Sequence, residues 1–102
     1  MQDLWNFIQN DPQYKDKTTL IITCDHGRGD IPPLEWRHHG HVYGAENIWV
    51  AVIGPGVSAA GEVKTKMKLH QNQLAATIAA LLGYEYKPDH FAGKPIEIIF
   101  GK

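Results

Sequence analysis

The sequence predicts an α/β fold in which a few strands carry flanking helices. Residues 18–24 (TTLIITC) and 47–53 (NIWVAVI) are two runs rich in β-branched and apolar residues, which is typical of strands. Residues 71–82 are rich in Ala and Leu, which are strong helix formers. Helix and strand therefore alternate along the chain, the order that is typical of layered α/β domains.

The first element is predicted to be a short helix at residues 3–10. Its four apolar residues recur at helical spacing: Leu4, Trp5, Phe7 and Ile8. Asp3 is the expected N-cap, because its carboxylate can accept a hydrogen bond from the first turn. We expect the helix to end before Pro12, since the residue preceding a proline is driven out of the α region.

The two strands are expected to be neighbours in one sheet. Both are apolar on both faces, so each needs cover on both sides, and the helices at residues 3–10 and 71–82 are expected to supply it. The second strand is predicted to stop at the Gly-Pro-Gly sequence of residues 54–56. Residues 95–100 are predicted to form a last short strand.

The helix at residues 71–82 is expected to start near Asn72 and to end with Gly83 at the C′ position. Its predicted apolar face consists of four residues: Leu74, Ile78, Leu81 and Leu82.

The chemistry of the sequence lies where the first strand ends. Asp25 and His26 follow the strand directly, and Gly27 allows the chain to turn there without a Cβ clash. Open α/β sheets commonly carry their sites at strand ends, and a carboxylate with an imidazole suits Zn, Mn or Fe. The alternative interpretation is an ordinary turn or helix-cap pair.

Three histidines follow in the loop at residues 27–40 and just beyond it: His38, His39 and His41. The chain has six histidines, so half of them lie in this cluster. We expect at least one of the three to contact a metal or a phosphate, the alternative being a polar, solvated loop. His70 and His90 are interpreted as surface or packing residues.

Composition excludes several classes of protein. The net charge of −1 gives no electrostatic case for binding nucleic acid or an anionic membrane. No apolar run approaches the length of a membrane span. Cys24 is the only cysteine, so no disulfide framework exists, and a strand cysteine is usually buried and inert.

Taken in order, several blocks of the chain resemble the C-terminal part of the alkaline phosphatase superfamily. The blocks are Asp25-His26-Gly27, the downstream His39-Gly40, the strand at residues 48–53, the Gly-Pro-Gly of residues 54–56 and the helix end at residues 77–83. The superfamily contains phosphatases, phosphodiesterases, sulfatases and cofactor-independent phosphoglycerate mutases. The sulfatase-like and phosphodiesterase-like hydrolases are the most similar branch, and the resemblance covers nearly the whole chain.

The resemblance implies a partial α/β/α sandwich and a two-metal centre, with Zn or Mn as the favoured ions. Asp25 and His26 match the pair that binds one ion. His39 best matches the histidine that binds the other ion, with His41 as its competitor and His38 as a distant third. The substrate would be a small phosphate or sulfate ester. Arg28 is placed where it could contact that anion, although a solvated or salt-bridged arginine is the favoured interpretation.

The resemblance also implies that parts of the enzyme lie elsewhere. Members of the superfamily carry a nucleophile and further aspartate ligands upstream of the Asp-His-Gly, and nothing before Asp25 matches them. Residues 1–102 are therefore expected to be a single C-terminal fragment of the catalytic domain. We expect the isolated chain to lack hydrolase activity.

Two further expectations follow. The fragment should leave apolar sheet surface exposed and should form homodimers through it. Asp25, His26 and His39 should face a common cavity, within about 10 Å of one another, since the two ions of a binuclear centre lie roughly 4 Å apart. The alternative function is a small non-catalytic α/β module whose histidine loop binds a metal, an anion or a partner.

Overall fold

The computed structural model describes residues 1–28, 31–32 and 42–101, and over these residues the protein is a small α/β chain. The elements follow in the order α1 (Gln2–Asn10), β1 (Leu20–Thr23), β2 (Val50–Ile53), a first 3₁₀ helix (Gln71–Gln73), α2 (Leu74–Leu81) and a second 3₁₀ helix (Glu97–Phe100). The predicted α/β class is confirmed at this level. No helix in the described ranges has the length and apolar character that crossing a membrane requires.

The two strands pair in one antiparallel sheet, with Leu20 opposite Ile53 and Thr23 opposite Val50. The prediction that the two β-branched runs are neighbours in a sheet is confirmed. Each strand is shorter than the run that predicted it, because only four residues of each run meet in the ladder.

The turn after β2 depends on Gly54, whose φ is +143°. A Cβ at this position would lie 2.6 Å from the Cα of Thr19. Beside it, the Thr19 hydroxyl donates a hydrogen bond of 3.0 Å to the carbonyl of Pro55. The second strand therefore ends as predicted, at a turn where the backbone of Gly54 passes close to Thr19, the residue that precedes β1.

The prediction that both strands are buried on both faces is wrong. The residues of β1 are half-buried throughout, and those of β2 alternate between half-buried and exposed, with Ile53 45% exposed. Among the described elements, extensive backbone contact joins only β1 with β2 and the first 3₁₀ helix with α2. The predicted cover of the sheet by the two α-helices is therefore incomplete.

Helix α1 begins at Gln2, one residue earlier than predicted. Met1 is its N-cap, and the amide of Trp5 donates the first helical hydrogen bond, 3.0 Å, to the Met1 carbonyl. Asp3 is therefore not the cap but a residue of the first turn. There its negative carboxylate interacts favourably with the positive end of the helix dipole. The helix ends as predicted, with Asp11 in an extended conformation before Pro12.

The predicted helix at residues 71–82 forms as one 3₁₀ turn followed by α2. The predicted end is confirmed, because Gly83 adopts a left-handed φ of +82°. Its amide donates to the Ala80 carbonyl at 3.1 Å, and the Tyr84 amide donates to the Ala79 carbonyl at 2.8 Å. This pair of bonds is a Schellman motif, which satisfies carbonyls that the helix end would otherwise leave open.

The apolar face predicted for α2 is wrong in part, since Leu74 and Leu81 are half-buried but the other two residues are not. Two of its residues are largely exposed, Ile78 at 45% and Leu82 at 67%, and the buried residues of the helix are Ala76 and Thr77. The helix buries its small side chains because another segment of the chain lies close against that face.

That segment contains Ile96, whose amide donates a hydrogen bond of 3.0 Å to the hydroxyl of Thr77. The Thr77 hydroxyl in turn donates to the Gln73 carbonyl at 2.7 Å. The strand predicted at residues 95–100 is wrong, since residues Glu97–Phe100 form the second 3₁₀ helix. Ile96 and Ile99 join Ile8, Ala76 and Thr77 as the buried residues of the described chain.

Candidate metal site

Asp25 and His26 lie just beyond the end of β1, as the sequence predicts. The residue between the strand and this pair is Cys24, whose carbonyl accepts a hydrogen bond of 2.7 Å from the side-chain amide of Gln71. The start of the first 3₁₀ helix therefore holds the backbone from which Asp25 projects. This contact could not be predicted from the sequence, since Cys24 and Gln71 are far apart along the chain.

Gly27 fixes the backbone on the other side of the pair. Its amide donates a hydrogen bond of 2.8 Å to the carbonyl of Ala45. A Cβ on Gly27 would lie 2.6 Å from the Asn47 carbonyl oxygen and 2.7 Å from that of Gly44. Such distances leave no room for a side chain, so this turn requires glycine.

The side chains of Asp25 and His26 face each other. The Asp25 Oδ1 accepts a hydrogen bond of 2.9 Å from the His26 backbone amide, and its Oδ2 lies 3.4 Å from the His26 Nε2. The other ring nitrogen, Nδ1, lies 2.9 Å from the carbonyl oxygen of Gly27. Because a carbonyl can only accept, Nδ1 carries a proton, and the neutral imidazole then holds its lone pair on Nε2.

This geometry fits two donors of one metal ion. In a tetrahedral zinc site with bonds of about 2.0 to 2.2 Å, neighbouring ligand atoms lie roughly 3.4 Å apart, which matches the separation of Nε2 and Oδ2. The hydrogen bond from Nδ1 to a backbone carbonyl is the usual partner of a metal-binding histidine. The side chains are 39% exposed for His26 and 85% exposed for Asp25, so an ion can reach them from solvent.

The described residues supply two ligands and not a full set. Across residues 1–28, 31–32 and 42–101, no group of three or more His, Cys, Asp or Glu side chains is arranged to hold a metal. His38, His39 and His41 lie outside the described residues, so the predicted cavity shared by Asp25, His26 and His39 stays a prediction. Any complete site therefore draws ligands from beyond the described pair.

Three further polar residues were considered in the sequence, namely Arg28, His70 and His90. Arg28 is exposed, directly after Gly27. His90 is exposed, and its Nδ1 lies 2.9 Å from the Oδ1 of Asp89, its neighbour in sequence. His70 is half-buried, and its amide donates to the side chain of Gln73 at the start of the first 3₁₀ helix.

One residue near the site was missed by the sequence analysis. The side-chain oxygen of Asn47 is buried and has no hydrogen-bond partner, although a buried acceptor ordinarily has one. The carbonyl of the same residue is one of the two that crowd Gly27. Asn47 was predicted only as the first residue of a strand, and nothing in its local sequence marks it as a neighbour of the site.

No known protein family, no curated protein and no solved structure matches this chain.

Proposed function

We propose that this chain is the metal-ligand-bearing, C-terminal part of a metal-dependent hydrolase of phosphate or sulfate esters, of the alkaline phosphatase type. The observation that carries the proposal is the Asp25–His26 pair at the end of β1, with Nε2 and Oδ2 separated by 3.4 Å. The remaining layers of an α/β/α sandwich would come from the rest of the catalytic domain. Such layers would also cover the sheet surface that the two helices leave exposed.

In this proposal Asp25 and His26 hold one ion of a two-ion centre, with zinc or manganese as the favoured metal. His39 holds the second ion, with His41 as the competing ligand. When bound, paired ions stabilise the attacking and leaving oxygens of an in-line displacement. The substrate class is a small phosphate or sulfate ester.

The chain's own contribution is to orient the first pair of ligands. The His26 amide holds Oδ1 of Asp25, which directs Oδ2 toward the imidazole. The Gly27 carbonyl fixes the proton on Nδ1, so that Nε2 is the nitrogen able to bind a metal. The nucleophile would come from the rest of the enzyme, so the isolated chain is expected to bind metal weakly and to hydrolyse no ester.

The test is a calorimetric titration of the metal-free chain with zinc and, separately, with manganese. We expect His26→Ala and Asp25→Ala to weaken binding at least tenfold, on the order of what the loss of a metal-site interaction costs. The chain offers a matched control in His90→Ala, because Asp89 and His90 are also adjacent in sequence and their side chains also lie within contact distance, 2.9 Å between Nδ1 and Oδ1. That variant should bind metal like the unaltered chain.

Equal binding by the unaltered chain and His26→Ala would contradict the assignment of the pair. The same titration tests the alternative function, a non-catalytic module whose histidine loop alone binds the metal. In that case His39→Ala and His41→Ala would abolish binding, and His26→Ala would not alter it.

A further inference from the structure

The side chain of Asn47 has a polar atom that no contact in the described part of the chain explains. Its Oδ1 is buried and accepts no hydrogen bond from residues 1–28, 31–32 or 42–101. A carboxamide oxygen carries two lone pairs, and nearly all buried acceptors in folded proteins are paired with protein groups, with water or with an ion. The free lone pairs therefore indicate a partner from outside these residues.

The antiparallel register places Asn47 opposite His26. Thr23 is paired with Val50 at the end of the ladder, and three residues further from that pair along each chain stand His26 and Asn47. The two chains stay close beyond the ladder, because a Cβ on Gly27 would lie 2.6 Å from the carbonyl oxygen of Asn47. Residues at opposite positions of adjacent antiparallel chains are neighbours, so we expect Asn47 to share the surroundings of His26.

We propose that Oδ1 of Asn47 is an oxygen donor to the ion that Asp25 and His26 hold. This inference rests on the proposed function and adds a third protein ligand to the same site. Carboxylate and amide oxygens suit manganese, whereas imidazole suits zinc as well. With Asn47 the donor set has two oxygens and one nitrogen, so we expect this residue to contribute more to the binding of manganese than to the binding of zinc.

Two substitutions of similar shape at position 47 test the inference by calorimetric titration of the metal-free full chain. Asn47→Leu removes the oxygen, so it should weaken manganese binding at least tenfold, on the order of what the loss of a metal-site interaction costs. It should weaken zinc binding by a smaller factor. Asn47→Asp keeps an oxygen and adds a negative charge, so manganese should bind this variant at least as tightly as it binds the unaltered chain.

Thermal unfolding with and without metal separates a ligand from a structural residue. In the presence of a chelator, Asn47→Leu should be at least as stable as the unaltered chain, because no hydrogen bond at Oδ1 is lost. Asn47→Asp should be less stable there, because a carboxylate buried without a partner is costly. Manganese should then raise its midpoint by more than it raises that of the unaltered chain. Asn6→Leu is the matched control, since Asn6 is exposed on α1 and its replacement should leave metal binding unchanged.

Manganese binding by Asn47→Leu that equals binding by the unaltered chain would overturn the inference. A loss of stability in Asn47→Leu without metal would also overturn it, because the oxygen would then have a structural partner. If His26→Ala abolishes binding and the Asn47 variants do not alter it, the Asp25–His26 pair stands and Asn47 alone is excluded. If the unaltered chain binds neither metal, the proposed function fails and this inference fails with it.

Discussion

Thr77 is the buried polar residue of the core, and its replacement by valine tests how the second half of the chain is held together. Valine keeps the shape of threonine and removes the hydroxyl, so no cavity forms. The amide of Ile96, which now donates to that hydroxyl at 3.0 Å, would be left buried without a partner. Leaving a buried donor unpaired costs about 1 to 3 kcal/mol, so we expect a loss of about 2 kcal/mol in the free energy of unfolding.

Urea denaturation followed by circular dichroism measures this loss. A change of about 2 kcal/mol lowers the midpoint by on the order of 1 to 2 M for a small protein. All variants are compared at one protein concentration, so that any self-association affects them alike. Thr77→Ser keeps the hydroxyl and removes one methyl group, which costs about 1 kcal/mol, so serine should be the milder change.

Thr18→Val is the matched control for this series. The Thr18 hydroxyl also donates to a carbonyl four residues earlier, that of Tyr14 at 3.0 Å, but in an exposed setting. Its loss should change stability by less than about 0.5 kcal/mol, as is usual for surface substitutions. The reasoning is refuted if Thr77→Val is as stable as the unaltered chain, or if Thr77→Ser is the more damaging change.

The glycines give two further predictions. Gly27→Ala should lower stability by more than about 1 kcal/mol and weaken zinc binding, because its Cβ would lie 2.6 Å from the Asn47 carbonyl; unchanged urea and calorimetric titrations would contradict this. Gly54→Ala should lower stability more than Gly83→Ala. Both positions have a positive φ, but a Cβ on residue 54 would also clash with Thr19 at 2.6 Å, whereas a Cβ on residue 83 has nothing within 4 Å. The strain at Gly83 alone is worth about 1 to 2 kcal/mol, and the reverse order of midpoints in urea would show that the clash is relieved elsewhere.

Local rules predicted the elements whose causes are local. The β-branched runs became β1 and β2, the residue before Pro12 ended α1, and Gly83 closed α2 with a left-handed turn. Each of these outcomes depends on the conformational preference of one or a few neighbouring residues.

The wrong predictions have their causes in contacts between distant residues. The buried face of α2 is set by the hydrogen bond between Ile96 and Thr77, and the same contact accompanies a 3₁₀ helix where an apolar run suggested a strand. Helical periodicity placed Ile78 and Leu82 inside, but it cannot tell which face the rest of the chain covers. The prediction that the two α-helices cover the sheet was wrong for the same reason. Apolar residues show which surface needs to be buried, but not which segment of the chain buries it.

The candidate site divides in the same way. The position of Asp25 and His26 after a strand could be read from the sequence, because it depends on the strand alone. The contact of Gln71 with the Cys24 carbonyl and the packing of Asn47 against Gly27 could not, since both join residues far apart in sequence.

The hydrogen bond between Gly27 and Ala45 also has a consequence for how this chain can vary. This bond joins the two residues that flank the histidine-bearing segment, residues 28–44. When the two ends of a connection are held together, its length can change at little cost in stability, since each doubling of the number of residues adds only about 0.6 kcal/mol of closure entropy. A change in the number of residues between Gly27 and Ala45 is therefore expected to cost little stability, and Asp25 is expected to keep its place at the end of the sheet because Gln71 holds the Cys24 carbonyl.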